Sequence, residues 1–202
     1  MSLTLYYSPT SPFARKVRIA IAELGLQPEL QAIALNPFEA GEDYWAVNPL
    51  SKVPTLLTRD GFVLPDSRLI LDYLRTLGTA LNGAGADSWP DRRRQQYADG
   101  ALEAAVVANL EQRREAGLIS RPWFDRQVAA IARTLGLLES EAAELRVQGG
   151  ITLTEISLVS LLGYLDLRLS AALDWRAQAP ALAQWFAAIA ARESVAATVP
   201  PA

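Results

Sequence analysis

The sequence predicts an α/β unit followed by an all-helical unit. Three observations carry this reading. Residues 3–78 switch repeatedly between the two-residue apolar spacing of strands and the three-to-four spacing of helices. Residues 79–89, TALNGAGADSW, have the small, polar, glycine-bearing make-up of a linker. Beyond Pro90 the apolar spacing is helical only, and an alternating unit followed by helices is a two-layer domain joined to a bundle.

Leu3, Leu5 and Tyr7 alternate as a half-buried strand does, until Pro9 and Pro12 end the pattern. From Phe13 the period becomes helical. Phe13, Val17, Ala20, Ile21 and Leu24 share one face, Arg15, Lys16, Arg18 and Glu23 fall on the others, and Gly25 closes the helix. Ser11-Pro12 marks its start, with a capping serine and a proline at the first helical position, where the absent N–H costs nothing. Such a serine is ordinarily only a cap. The alternative is that its hydroxyl, set where free N–H groups and the helix dipole favour an anion, meets a bound thiolate.

Pro28 to Leu35 follows as a strand, and residues 39–47 as a short irregular helix. Thr55 to Thr58 and Phe62 to Leu64 flank Asp60-Gly61, a hairpin signal. Pro54 directly before a strand is unusual because proline donates nothing to a ladder. It is either an ordinary trans proline or a cis Val53-Pro54 bond that turns the Val53 main chain toward an extended ligand. Pro65-Asp66-Ser67 then caps a helix with the stripe Leu69, Ile70, Tyr73, Leu74 and Leu77, ending at Gly78.

In the second unit, residues 90–116 form a long helix. Its early run Arg92-Arg93-Arg94 opposes the dipole and is read as a solvated or partner-facing surface. A second helix runs from Arg121-Pro122 to about Val147 with Val128, Ile131, Leu135 and Leu138 buried. Thr152-Leu153-Thr154-Glu155 is a capping box, stapled by Ile151 and Ile156. The helix it opens is apolar on more than one face and belongs at the centre of the bundle. Residues 181–191 form the last helix, and TVPPA is a disordered or loosely docked tail.

The 202 residues are half hydrophobic and 20% charged, with net charge -3, so no global charge draws the chain toward nucleic acid. Cysteine and histidine are both absent. That removes disulfides, Cys or His metal sites, dithiol redox chemistry and Ser-His-Asp or Cys-His nucleophiles from the chain's own repertoire. Hydroxyls, carboxylates, Lys, Arg, main-chain N–H groups or a reactive group on a ligand must carry any catalysis. No apolar run reaches membrane length, and a cytoplasmic location is the default expectation.

With these segments placed, SPFARKVRIAI, NPLSKVPTL and LPDSRLILDYL, followed by helices that include ITLTEISL, resemble the glutathione transferase family over the whole chain. The resemblance implies a thioredoxin-like domain at 1–79 with a mixed four-stranded sheet, and an all-helical domain at 88–202 that contributes an apolar substrate pocket. It implies glutathione as co-substrate, no metal, a small apolar electrophile, and a homodimer joined through the 66–77 and 90–116 helices with Arg68 as a contact. Carried over position by position, Ser11 would hold the sulfur, with Ser8 or Tyr7 in reserve. Val53 would pair through its main chain beside a cis Pro54, Lys52 would take the glycyl carboxylate, and Asp66 and Ser67 the γ-glutamyl end. Related members with the same Pro-Phe context carry cysteine at the place of Ser11, so thiol-transfer and reductase activity are not expected. Members commonly carry Glu where this chain has Asp66, one methylene longer. The pocket would be lined from the loop after Tyr7 and from the 90–116 helix, with Tyr97. A non-catalytic, glutathione-transferase-like ligand-binding protein, sequestering apolar ligands or acting through a partner, is the alternative function. A glutathione-dependent isomerase ranks below it, because the active-site turn lacks that branch's Ser-Cys pair.

Overall fold

The computed structural model describes residues 2–201. Strands β1 (Leu3–Tyr7), β2 (Leu30–Ala34), β3 (Thr55–Leu57) and β4 (Val63–Pro65) form one mixed sheet in the order β2-β1-β3-β4. β1 and β2 are parallel and are joined through helix α1 (Pro12–Glu23); β3 and β4 run antiparallel to their neighbours. Short α2 (Glu42–Val47) and α3 (Ser67–Arg75) complete this part. This is a thioredoxin-like arrangement. Helices α4 (Trp89–Gln112), α5 (Arg121–Ser140), α6 (Leu153–Arg168), α7 (Trp175–Gln178), α8 (Pro180–Ile189) and α9 (Glu193–Ala196) follow. None of the described helices is long and apolar enough to cross a membrane.

The register decides where function can lie. Tyr6 pairs with Thr55, and Thr55 pairs with Pro65. The end of β1, the start of β3 and the end of β4 therefore meet at one edge of the sheet. The turn to Ser11, the Val53-Pro54 segment and the Asp66-Ser67 corner all leave from that edge, together with the N-termini of α1 and α3.

Several elements are shorter than the sequence predicts. The strand expected over 28–35 is Leu30–Ala34, because Gln27–Glu29 forms a 3-10 turn, and the helix expected over 39–47 begins only at Glu42. The helix expected to reach Val147 stops at Ser140. Its continuation is drawn instead to the capping box: the Arg146 N–H donates to Glu155 at 2.8 Å, and the Trp185 indole donates to the Arg146 carbonyl at 3.0 Å. The 90–116 helix ends at Gln112, after which the Ser120 N–H donates to the Glu111 carboxylate at 2.6 Å. The tail is docked in part, since Thr198 is buried and its hydroxyl donates to the Ser194 carbonyl at 2.9 Å. The linker is fastened too. A Cβ on Gly83 would stand 2.4 Å from the Gly150 carbonyl oxygen, so only glycine permits that approach.

α6 is buried along its first ten residues and is opened by the Thr152–Glu155 capping box. α1 packs between the sheet and α6, so its polar side is buried as well. The basic residues assigned by sequence to its outward faces are correspondingly hidden: Arg15 is 5% and Lys16 0% exposed. Lys16 meets Asp99 of α4 at 2.6 Å, and the other Asp99 oxygen accepts from Arg68 Nε of α3 at 3.2 Å. The Arg92–Arg94 run is only partly a surface. Arg93 and Arg94 grip Glu141 at the end of α5, while Arg92 stays exposed beside Trp89.

At the far end of α1, Glu23 accepts from Arg192 at 2.6 Å through both carboxylate oxygens and from the Ser194 hydroxyl. Burial pushes this carboxyl up, but the bonds from Arg192 and Ser194 outweigh it and leave it below the ordinary carboxylate range. A depressed carboxyl contributes stability above its unfolded pKa and loses it as the pH falls through the folded value. Arg192→Gln is therefore expected to be less stable than the parent at neutral pH, the gap closing below about pH 4 in urea unfolding curves. At the other junction, Asp99→Ala leaves the Lys16 ammonium buried and unpaired. It should cost about 3–5 kcal/mol by urea unfolding, and the double variant Lys16→Met, Asp99→Leu should recover most of the loss.

Candidate active site at the sheet edge

Ser11 caps α1. Its oxygen accepts from the Ala14 N–H at 3.2 Å, and its own N–H donates to the Ser8 carbonyl at 3.1 Å. With the oxygen engaged as acceptor, the hydroxyl proton remains free to donate. Ser8 lies 3.4 Å from the Thr10 hydroxyl, and the Tyr7 ring lies under the Arg18 guanidinium, 5.3 Å from the ring centre.

The Val53-Pro54 peptide is cis. Among the described residues, the Val53 N–H and C=O have no main-chain partner, so both are open to an extended peptide. The Lys52 side chain is exposed, whereas its carbonyl is held from within by Tyr44, Asn48 and Thr55.

Asp66 stands at φ 77°, ψ 135°, a conformation that side-chained residues rarely adopt and that costs on the order of 1–3 kcal/mol. Its carboxylate caps α3 by accepting from the Arg68 N–H at 2.7 Å through one oxygen, leaving the other open. Ser67 is buried behind it at the helix start. Arg68, expected at a subunit contact, is engaged within its own chain by Asp99 and by Glu103, the latter at 2.8 Å. The register thus brings Ser11, Val53, Asp66 and Ser67 to one edge. Two helix N-termini there favour anions, and unpaired main-chain groups lie between them.

Behind Ser11 lies a cavity of about 10 Å³ lined by Thr10, Ser11, Pro12, Arg15, Ser160, Tyr164 and Pro200. It is far too small for an organic substrate. It lies between α1 and α6, and Tyr97 on α4 lines a separate hollow with Trp89, Arg92, Arg93 and Gln96. Arg15 was missed by sequence reasoning. Burial, with Arg18 adding to it, lowers its guanidinium to about 10, so it remains a cation at neutral pH. Among the described residues no carboxylate pairs with it: the Val195 carbonyl accepts from it at 3.4 Å, and its Nε, like the nearby Ser160 hydroxyl, has no partner there.

Comparison with known proteins now has a geometry to rest on. Residues 5–78 match the glutathione S-transferase N-terminal domain and residues 121–188 the C-terminal domain. The GST-like protein YibF of Escherichia coli is 32% identical over 98% of this chain and 99% of its own length. This chain belongs to the glutathione transferase family. A family member from Pseudomonas fluorescens, solved with bound glutathione, is 36% identical, covers all of both chains and superposes with a TM-score of 0.90. A glutathione S-transferase from Methylobacillus flagellatus, also glutathione-bound, is 32% identical over 99% of this chain and all of its own, with a TM-score of 0.86.

Gly163 on α6 gives the Arg15 head its room, since a Cβ there would stand 2.3 Å from Nη1. Because the only close atom is the far end of a flexible side chain, Gly163→Ala should fold with a thermal midpoint near that of the parent, the Arg15 head shifting aside while alanine's better helix propensity, up to about 1 kcal/mol, offsets the cost.

Proposed function

We propose that this chain is a glutathione transferase that activates the glutathione thiol through Ser11 and adds the sulfur to small apolar electrophiles. The observation that carries the proposal is the single sheet edge on which the Ser11 hydroxyl, the unpaired Val53 main chain and the Asp66-Ser67 corner converge, in a chain whose full-length relatives are solved with glutathione bound. In this reading the tripeptide runs along the edge. Its γ-glutamyl end lies at Asp66 and Ser67 on the α3 N-terminus, its cysteinyl main chain pairs with Val53 beside Pro54, and its glycyl carboxylate faces Lys52. The sulfur then lies at the α1 N-terminus.

Serine holds its own proton too tightly to act as a base. It donates a hydrogen bond to the sulfur, and the α1 dipole adds to the stabilisation of the thiolate. The thiol proton passes to solvent and the sulfur forms a C–S bond to the electrophilic carbon. The carbon's bond to its leaving group breaks as that group departs with the electron pair. The same reading takes 1–79 and 88–202 as the two domains, a homodimer through α3 and α4 as the assembly, the cytoplasm as the location and detoxification as the role.

Ser11→Ala should bind glutathione but turn over a model aryl halide at least about tenfold more slowly, the loss expected for one transition-state hydrogen bond. Unchanged turnover would move the role to Ser8 or Tyr7. Retention on glutathione resin with no conjugation across a panel of electrophiles would make the chain a non-catalytic binding protein instead.

A further inference from the structure

The interior of the 44–55 segment holds a hydrogen-bonded cluster for which the mechanism above has no use. Three side chains converge on one main-chain oxygen, the Lys52 carbonyl. The Tyr44 hydroxyl lies 2.5 Å from it, the Asn48 amide nitrogen 3.0 Å and the Thr55 hydroxyl 3.1 Å. Thr55 is also 2.9 Å from the Tyr44 oxygen and 2.8 Å from the Asn48 nitrogen. Tyr44, Asn48 and Thr55 are all buried, at 6%, 1% and 0% exposure.

Counting protons orders the cluster. Tyr44 and Thr55 each have one proton to give, and the Asn48 amide has two. The Asn48 oxygen already accepts from the Leu50 N–H at 3.0 Å, which fixes which side of the amide faces the cluster. Burial pushes the Tyr44 phenol above its ordinary pKa, so it keeps its proton. One arrangement then satisfies every group: Tyr44 and Asn48 donate to the two lone pairs of the Lys52 oxygen, Asn48 gives its second proton to Thr55, and Thr55 donates to Tyr44.

The Lys52 carbonyl and the Val53 N–H belong to one planar trans peptide unit and point in opposite directions. Holding the carbonyl inward therefore aims the Val53 N–H outward, toward the edge where Ser11 and Asp66 stand. The holders are themselves rigidly placed. Thr55 sits in β3 between Tyr6 and Pro65, Asn48 ends α2, and the Tyr44 ring lies 5.3 Å from the Tyr6 ring of β1.

We propose that Tyr44, Asn48 and Thr55 are positioning residues for glutathione: by locking the Lys52 carbonyl they orient the Val53 main chain that receives the tripeptide, and so set affinity for glutathione rather than the rate of the thiol chemistry. The proposal rests on the assignment of glutathione to this edge. None of the three touches the ligand.

The test uses full-length protein with Tyr44→Phe, Thr55→Val and Thr55→Ser. Tyr44→Phe keeps the ring against Tyr6 and removes only the donor. Glutathione binding by titration calorimetry, KM for glutathione and kcat at saturating glutathione are measured, with circular dichroism to check folding. Tyr44→Phe and Thr55→Val are each expected to raise Kd and KM by roughly fivefold, the effect of one hydrogen bond, with kcat within about twofold of the parent. Thr55→Ser retains the hydroxyl and should bind as the parent does. Should Thr55→Val not fold, Asn48→Asp, which sets a carboxylate against the carbonyl, takes its place with the same expectation. Folded variants with parental Kd and KM, or with a lowered kcat at unchanged KM, overturn the proposal. A parent protein that takes up no glutathione overturns the assignment of the ligand itself, and the proposal with it.

Discussion

The burial of α1 on both of its sides constrains everything else in this chain. A helix between a sheet and a surface needs one apolar face; a helix between a sheet and a second layer of helices must dispose of its polar face as well. Lys16 does so through an ion pair to α4, and Glu23 through an ion pair to Arg192 ahead of α9 and a hydrogen bond from Ser194 within it. Arg15 has no carboxylate partner among the described residues, and its head group lies in the space that Gly163 leaves by withholding a side chain. The helix that presents Ser11 is thus held by elements as distant in sequence as α9, and the hydroxyl at its start inherits that rigidity.

Against that constraint, what could be read from sequence divides by physical cause. Alternation in Leu3 to Tyr7, Asp60-Gly61 between apolar runs, Ser11-Pro12 before a helical period and Thr152 to Glu155 before a leucine-rich stretch are local signals, and the corresponding elements are present. Helix ends were less legible. Nothing local says that 141–147 should leave its helix to serve Glu155, or that Trp175–Gln178 and Glu193–Ala196 fold as short separate helices. Arg15 and Lys16 were misplaced for the same reason: periodicity identifies the face that packs first, but it cannot tell that a second layer covers the other.

The candidate site divides in the same way. Capping chemistry pointed to Ser11, Asp66 and Ser67 because a residue suited to a helix N-terminus also stands where an anion is favoured. The unusual place of Pro54 pointed to Val53. Tyr44, Asn48 and Thr55 carried no such signal, since an aromatic in a short helix, an asparagine before a proline and a threonine in a strand are unremarkable. Their common function appears only when three separate side chains are found on one oxygen.

The direction of β1 has a practical corollary for anyone handling the molecule. Leu3 begins the strand and Tyr7 ends it at the reactive edge, so the start of the strand lies about 13 Å from that edge at the usual rise per residue. Pro200, by contrast, forms part of the wall behind Ser11. Fluorophores or surface-immobilisation linkers attached at Leu3 start from the far end of the strand, whereas a bulky probe placed at Pro200 sits against the wall behind Ser11.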